Sequence, residues 1–254
     1  MERIHTARYR YAAGFVRGRS VLDIATGIGY GAHLLATGPG AASVTGVDIS
    51  TEAIRAATER YAAPNLRFTA VTPGVLPFSD GEFDGAVSFE TIEHAADPAA
   101  FLREVVRVVK PGGPIILSTP NRRFHSFGRS RPWNPHHAVE FTPDGFLALL
   151  RREVGEPEFW GGQEFMPVTP AAIVKHNWVE MRYYILRDNP IYRLAGRTVR
   201  LLRAVLRGGG RASGHPGEAA VTMDDRRCAV HPWEPGREPY TIVAICRKPL
   251  RGGP

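Results

Sequence analysis

The stretch Val21 to Leu35, VLDIATGIGYGAHLL, decides the fold. Its apolar start predicts a buried strand, and the glycines at positions 27, 29 and 31 predict a tight turn into a helix. Such a turn lets a ligand approach main-chain amides, and the positive end of the helix favours negative charge. The spacing GxGxG is neither the GxGxxG of dinucleotide-binding folds nor a phosphate loop ending in GKS or GKT. The stretch therefore predicts a strand-turn-helix unit, which either binds a nucleotide-like ligand or is only a tight turn.

The composition is that of an ordinary globular chain. Of the 254 residues, 43% are hydrophobic and 22% are charged. No apolar run approaches the ~20 residues of a membrane-spanning helix, and the first residues lack the apolar core of a secretory signal. The two cysteines, Cys228 and Cys246, lie far apart without metal-ligand spacing, so we predict neither a disulfide framework nor a thiolate metal site. These features lead us to expect a cytoplasmic protein without a membrane span.

The net charge of +7 arises in one segment, because residues 182–211 contain eight arginines and one aspartate. Between residues 190 and 208 the arginines recur every three to four positions, which predicts a basic amphipathic helix. Such a helix can be a solvated face over a core stripe, or it can bind an anionic or carrier-bound acceptor or an acidic membrane surface. Charges cancel elsewhere, so a surface built for nucleic acid is not favoured. The oligomeric state is left open.

From residue 20 to residue 121, short apolar runs alternate with helical patterns, which is typical of βαβ units around a parallel sheet. We predict one domain, 1–254, in which residues 160–238 form an inserted helical cover over the acceptor site before the final strand. The predicted strands are 20–25, 43–49, 66–71, 83–89, 114–120 and 239–247, and the predicted helices are 29–36, 51–61, 98–109 and 143–154.

A carboxylate strengthens the prediction of a nucleotide-like ligand. Asp48 ends the second predicted strand in the sequence GVDIS, about twenty residues after the glycines. It therefore lies at the carboxyl edge of the sheet, where a carboxylate can accept hydrogen bonds from the two vicinal hydroxyls of a ribose.

The motifs VLDIATGIGYG, VTGVDIS, LPFSDGEFDGAVSFETIEH, LREVVRVVKPGG and ILSTPN, in this order, resemble the class I S-adenosylmethionine-dependent methyltransferases. They are similar to the branch called methyltransferase type 11, which includes ubiquinone O-methyltransferases, from about residue 5 to residue 150. The resemblance implies S-adenosylmethionine as cofactor and a Rossmann-like, doubly wound α/β sheet of seven strands, the last antiparallel. It assigns the cofactor to Tyr9, Ala25, Gly27, Gly29, Asp48, Ile49, Thr72 and Phe89, with Arg8 as the alternative to Tyr9 for the methionine carboxylate.

Two positions depart from the pattern of that family. The first motif has Ala25 and Thr26 where glycine or alanine followed by cysteine is usual, and Ala25 fits if its φ is negative. Thr72 stands where an acidic residue usually faces the adenine amino group, and a hydroxyl accepts that bond less strongly. We therefore expect modest cofactor affinity.

Glu90, Glu93 and His94 form an ExxEH after the fourth strand, and His136 and His137 follow the fifth strand. A metal centre of Glu90, Glu93, His94 and His137 would suit Mg²⁺, Mn²⁺ or Zn²⁺, which could chelate a diol or catechol. The arrangement is similar to that of ubiquinone O-methyltransferases and small-RNA 2′-O-methyltransferases. Alternatively, Glu93 and His94 cap the next helix, or His94 or His137 is a metal-free general base, with His137 preferred.

The function predicted is methyl transfer to a hydroxyl of a small molecule, such as a sugar or another secondary metabolite in natural product biosynthesis. The alternatives are an RNA or nucleotide 2′-O-methyltransferase, an N-methyltransferase acting on an amine, and a scaffold that binds the cofactor without turnover.

Overall fold

The structure is a computed structural model that describes residues 2–38, 40–126, 131–163, 229–234 and 239–250. Its strands are β1 Ser20–Ile24, β2 Ser43–Asp48, β3 Leu66–Ala70, β4 Gly85–Phe89, β5 Pro114–Pro120, β6 Phe159–Gln163, β7 Val230–Pro232 and β8 Thr241–Arg247. They form one sheet in the order β3-β2-β1-β4-β5-β8-β6-β7. The first five strands in that order are parallel, and β8 pairs antiparallel with both β5 and β6.

Several helices begin where the sequence supplies a capping side chain. The Ser50 hydroxyl accepts from the Ala53 amide at 3.1 Å, the Thr142 hydroxyl accepts from the Gly145 amide at 3.2 Å, and Asp97 caps in the same way. The helices are α1 Glu2–Ala13, α2 Tyr30–Thr37, α3 Thr51–Arg60, α4 Pro98–Val108, α5 Arg122–His125 and α6 Pro143–Glu153, with a 3₁₀ turn at Ile92–His94.

The predicted α/β class and the antiparallel last strand are confirmed, with two corrections. The sheet has eight strands rather than seven, because residues 230–232 add a short strand beside β6. Residues 160–163 and 230–232, which the sequence assigned to the inserted cover, are therefore parts of the sheet. Residues 164–228 and 235–238 of the predicted cover, with the arginine-rich helix and Cys228, lie outside the described residues, and their assignment stays a prediction.

The core has two layers because side chains alternate across the sheet. Leu22 of β1 and Leu117 of β5 pack with α4 and α6 on one face, while Val21 and Ile116 pack with α1 and α2 on the other. Strands β4 and β5 are buried along their whole length. Their carboxyl ends are thus held rigidly where a site can form. Among the helices that the structure describes, none is both long enough and apolar enough to traverse a bilayer.

Gly31 is a position where the packing of α1 demands glycine. A Cβ built there would lie 2.0 Å from Cζ of Tyr9. We expect Gly31→Ala to lower the free energy of unfolding by about 1–3 kcal/mol, since either the ring or the α2 backbone must move. Urea denaturation measures this loss. Gly14→Ala is the control, because its Cβ would meet nothing closer than the Tyr11 carbonyl at 3.5 Å. Equal stability of the two variants would contradict the prediction.

Candidate active site

The glycine turn lies at the carboxyl end of β1, and its glycines have different tasks. A Cβ at Gly29 would come within 2.7 Å of Ala57 and Phe68, so this glycine is required by packing. Gly27, with φ of +56°, has no atom within 4 Å of its Cβ position. In this turn, Gly27 is therefore the position at which a ligand can approach the backbone.

The expectation of a negative φ at Ala25 is wrong, because the φ of this residue is +59°. Two hydrogen bonds of Thr26 hold the turn directly after Ala25. The Thr26 amide donates to the Val47 carbonyl at 2.9 Å, and the Thr26 hydroxyl donates to Asp23 at 2.6 Å. A left-handed conformation costs an L-residue about 1–2 kcal/mol. This strain adjoins the open Gly27, as is common at binding sites.

Asp48 lies at the edge predicted for it and also holds the turn. Its carboxylate accepts from the Gly27 amide at 2.8 Å and from the Ser50 amide at 2.9 Å. A carboxylate has about four acceptor sites, so it retains capacity for hydroxyl donors. Ile49 beside it is 64% exposed, and Thr72 is exposed just after β3.

Glu90, predicted as a metal ligand, forms a partly buried ion pair with helix α1. Arg8 Nη1 lies 2.5 Å from Glu90 Oε1, and Ser118 donates to the same oxygen at 2.8 Å. Burial raises the pKa of Glu90, but the charges of Arg8 and His5 and the hydrogen bond from Ser118 together lower it below its usual value. Glu90 is therefore an ionised partner of Arg8 and is separate from the cluster of metal-ligand type described below.

Tyr9 is 5% exposed, and its hydroxyl donates to Asp23 at 3.0 Å. Its ring packs edge-on against Phe89, with 4.9 Å between centroids. Both side chains proposed for the cofactor carboxylate, Arg8 and Tyr9, are thus bonded to acidic residues. In the described part of the chain, the Arg8 Nε is a buried donor without an acceptor.

Glu93, His94 and His137 come together as the sequence predicts for strands that end at the same edge. One ligand atom from each lies within 4.8 Å of the others. The 3₁₀ turn that follows β4 is joined to the loop that follows β5, since the amides of Ala138 and Val139 donate to the Glu93 carbonyl at 2.8 and 3.1 Å.

Each member of this cluster has a partner that orients it. His94 Nδ1 lies 2.9 Å from the carbonyl of His136, so Nδ1 donates and Nε2 is the basic nitrogen. His137 Nδ1 lies 2.8 Å from buried Glu140, and its Nε2 accepts from Asn134 at 2.9 Å. The Thr119 hydroxyl donates to Glu93 at 3.0 Å.

Burial sets the ionisation of this cluster. The pKa of Glu93 is raised by burial and by the charge of Glu90. The pKa of His94 is lowered, chiefly by burial. Both shifts favour the neutral forms, so the imidazole of His94 is available to bind a proton or a metal ion. A neutral His94 can therefore accept a proton or bind a cation, whereas Glu93 must first lose its proton to become a ligand.

Several contributing residues were not singled out by sequence reasoning. Glu140, Asn134 and Thr119 orient the cluster, and Ser118 and Asp23 bind the side chains of helix α1. The spacing of Glu140 three residues after His137 was a usable signal. The contacts of Ser118 and Asp23 with α1 were not readable, because they join segments that are distant in sequence.

His5 of α1 gives the folded state a dependence on pH. Its pKa is lowered from 6.5 to about 4 by burial and by the neighbouring Arg8. Between these values the unfolded chain binds a proton there and the folded chain does not, so stability falls as the pH falls. We expect wild type to lose more stability than His5→Gln between pH 7 and pH 5, measured by urea denaturation at each pH. Identical losses in the two proteins would contradict this.

Residues 22–117 match the family described as a methyltransferase domain. A probable S-adenosylmethionine-dependent methyltransferase of Mycolicibacterium smegmatis is 37% identical over 148 residues, covering 58% of this chain and 56% of that protein. The chain thus spans about half the length of this relative.

A second relative is covered more fully. The ubiquinone biosynthesis O-methyltransferase of Bordetella avium is 30% identical over 171 residues, covering 62% of this chain and 70% of that protein. Among solved structures, the [4+2]-cyclase SpnF superposes with a TM-score of 0.62 at 18% identity, covering 97% of this chain and 81% of that chain. At this identity the structural likeness supports the shared fold alone.

Proposed function

Because the chain belongs to the S-adenosylmethionine-dependent methyltransferases, we propose that it transfers a methyl group to a hydroxyl of a small molecule. The observation that carries the proposal is the cluster of Glu93, His94 and His137 at the carboxyl ends of neighbouring parallel strands. In open α/β sheets, this edge is where ligands bind.

The cofactor side of the proposal rests on the turn and on the end of β2. Gly27 leaves space for a ligand against the backbone, and the Asp48 carboxylate keeps acceptor capacity for ribose hydroxyls. Exposed Ile49 offers an apolar surface for the adenine ring, and exposed Thr72 follows the end of the neighbouring strand β3. The buried Nε of Arg8 is a donor suited to a carboxylate. When bound, the cofactor supplies an electrophilic methyl group on a sulfonium.

On the acceptor side, the chain must hold a hydroxyl and remove its proton. His137 is suited to this task, since Glu140 fixes its Nδ1–H and leaves Nε2 as the acceptor atom. In the structure, the side-chain amide of Asn134 donates to Nε2 of His137. The hydroxyl of a bound substrate would take the place of that amide. The buried Glu140 stabilises the protonated imidazole that results.

As an alternative to the role of His137 as base, its Nε2 is a metal ligand, because the same three side chains fit a divalent cation once Glu93 has lost its proton. His94 Nε2, His137 Nε2 and the Glu93 carboxylate would hold it, and the His136 carbonyl, Glu140 and Thr119 would be the outer partners that metal ligands usually have. Such an ion would lower the pKa of a coordinated hydroxyl. A sugar, a catechol or another polyhydroxylated secondary metabolite offers the vicinal oxygens that this ligand set suits.

Calorimetric titration with S-adenosylhomocysteine, followed by turnover assays with catechols, sugars and amines, tests the proposal. Chelated protein is compared with protein given Mg²⁺, Mn²⁺ or Zn²⁺, and Glu93→Gln with wild type. We expect cofactor binding and methylation of hydroxyl acceptors in wild type. Turnover that is lost on chelation and in Glu93→Gln would favour the metal, and turnover that survives both would favour His137 as the base. Methylation of amines alone would overturn the hydroxyl assignment, and absence of cofactor binding would overturn the activity itself. Salt-sensitive binding of RNA would instead favour a nucleic-acid acceptor.

A further inference from the structure

Helix α1 is fixed to several strands by buried polar bonds. Arg8 bonds Glu90 after β4 and Ser118 of β5, Tyr9 bonds Asp23 of β1, and the Gln163 amide of β6 donates to the Ile4 carbonyl at 3.0 Å. The helix is therefore placed with respect to the site by specific groups as well as by apolar packing.

The Tyr9 side chain lies between the glycine turn and the end of β4. Its ring occupies the space where a Cβ of Gly31 would be, and its edge meets Phe89. Its hydroxyl lies 3.0 and 3.3 Å from the two carboxylate oxygens of Asp23. With 5% exposure, Tyr9 has little surface left for direct contact with a ligand.

Asp23 connects Tyr9 with the glycine turn. Its carboxylate also accepts from the Thr26 hydroxyl at 2.6 Å, and Thr26 follows the left-handed Ala25. The next residue, Gly27, donates its amide to Asp48. Two hydrogen bonds to Asp23 therefore connect α1 with Thr26, and the main chain connects Thr26 with the Gly27 peptide that a ligand would approach.

We propose that Tyr9 is a positioning residue, which sets the conformation of the cofactor turn through Asp23 and Thr26 and thereby the affinity for S-adenosylmethionine. The inference rests on the proposed function and revises the direct cofactor contact that the sequence suggested for Tyr9. The hydroxyls of Tyr9 and Thr26 both donate to the Asp23 carboxylate. A protonated Asp23 cannot accept equally from both, because one of its oxygens then carries a proton.

The groups that face Asp23 are the Tyr9 hydroxyl from α1, the Thr26 hydroxyl from the turn and the Asp48 carboxylate from β2. Burial raises the pKa of Asp23 to about 7, and the two hydroxyl bonds hold it below what burial alone would give. Loss of the Tyr9 hydroxyl removes one of these bonds, so the pKa rises further. Cofactor affinity should therefore fall on acidification, and it should begin to fall at a higher pH without that hydroxyl.

Tyr9→Phe tests this, because the ring that packs on Gly31 is kept. We expect S-adenosylhomocysteine to bind about 10-fold more weakly at pH 7.5, as for the loss of one hydrogen bond to a charged group. In Tyr9→Phe, the midpoint of the pH dependence of affinity should move to a higher pH. In Asp23→Asn, this pH dependence should vanish. Tyr11→Phe is the control, since Tyr11 lies on the same helix and packs on Phe15 and Phe159. It should bind as wild type does.

A measurement without cofactor separates this inference from the proposed function. Hydrogen exchange of the Gly27 amide should be faster in Tyr9→Phe than in wild type or Tyr11→Phe, because the turn is less firmly held. Unchanged exchange, or unchanged affinity and pH midpoint, would overturn the role of Tyr9. Faster exchange in a protein that binds no S-adenosylhomocysteine would overturn the proposed function and leave the control of the turn by Tyr9 in place.

Discussion

Replacing Asp48 by alanine is expected to weaken the binding of S-adenosylhomocysteine by about 100-fold or more. Two effects act in the same direction. The variant loses a charged acceptor for ribose hydroxyls, and hydrogen bonds to charged groups contribute about 1.5–3 kcal/mol each. It also frees the Gly27 and Ser50 amides, which Asp48 holds at 2.8 and 2.9 Å. Calorimetric titration measures the change in the dissociation constant.

Asp84→Ala is a matched control for this experiment. Its carboxylate also accepts from a main-chain amide, that of Ser20, at 2.8 Å. It lies just before β4, however, at the amino end of the parallel strands. Asp84→Ala should therefore bind the ligand as wild type does. An Asp48→Ala variant with unchanged affinity would refute our placement of the ribose.

Substitution of His137 by alanine is expected to lower turnover by about 100-fold to 10,000-fold, the usual contribution of a positioned acid or base. Cofactor affinity should stay unchanged, because His137 belongs to the loop after β5 and the cofactor turn follows β1. Glu140→Gln should lower turnover less, since the amide can still accept from His137 but carries no charge to stabilise the imidazolium. Steady-state kinetics with a hydroxyl acceptor measures both effects.

His136→Ala is the control for the His137 experiment. His136 is exposed, and it contacts His94 through its backbone carbonyl, which alanine retains. Its turnover should equal that of wild type. If His137→Ala also turned over at the wild-type rate, the proton would have to leave by another route, and an amine acceptor that needs no base would be favoured.

Local patterns predicted the parts of the fold that depend on local chemistry. The caps at Ser50, Asp97 and Thr142 mark helix starts because their side chains accept from amides two or three residues ahead. The meeting of Glu93 and His94 with His137 followed from topology, since the ends of parallel strands share one edge.

What the sequence did not reveal depends on tertiary contact. Glu90 has the spacing of a metal ligand, but an arginine 82 positions earlier neutralises it. The left-handed Ala25 is imposed by bonds of its neighbour Thr26 to Asp23 and Val47. Strand β6, FWGGQ, escaped notice because two glycines interrupt its alternation, and β7 is only three residues long.

The position of β8 between β5 and β6 determines the order in which the chain can assemble during synthesis. Strands β1 to β5 can pair as they leave the ribosome, but β6 ends at Gln163 and its partner β8 begins only at Thr241. Until then, the open edges of β5 and β6 are templates for unwanted association. A chain stopped before Thr241 would therefore keep the parallel half of the sheet and lose the attachment of β6. Among the strands that the structure describes, the one translated latest is the one that joins the two parts of the sheet.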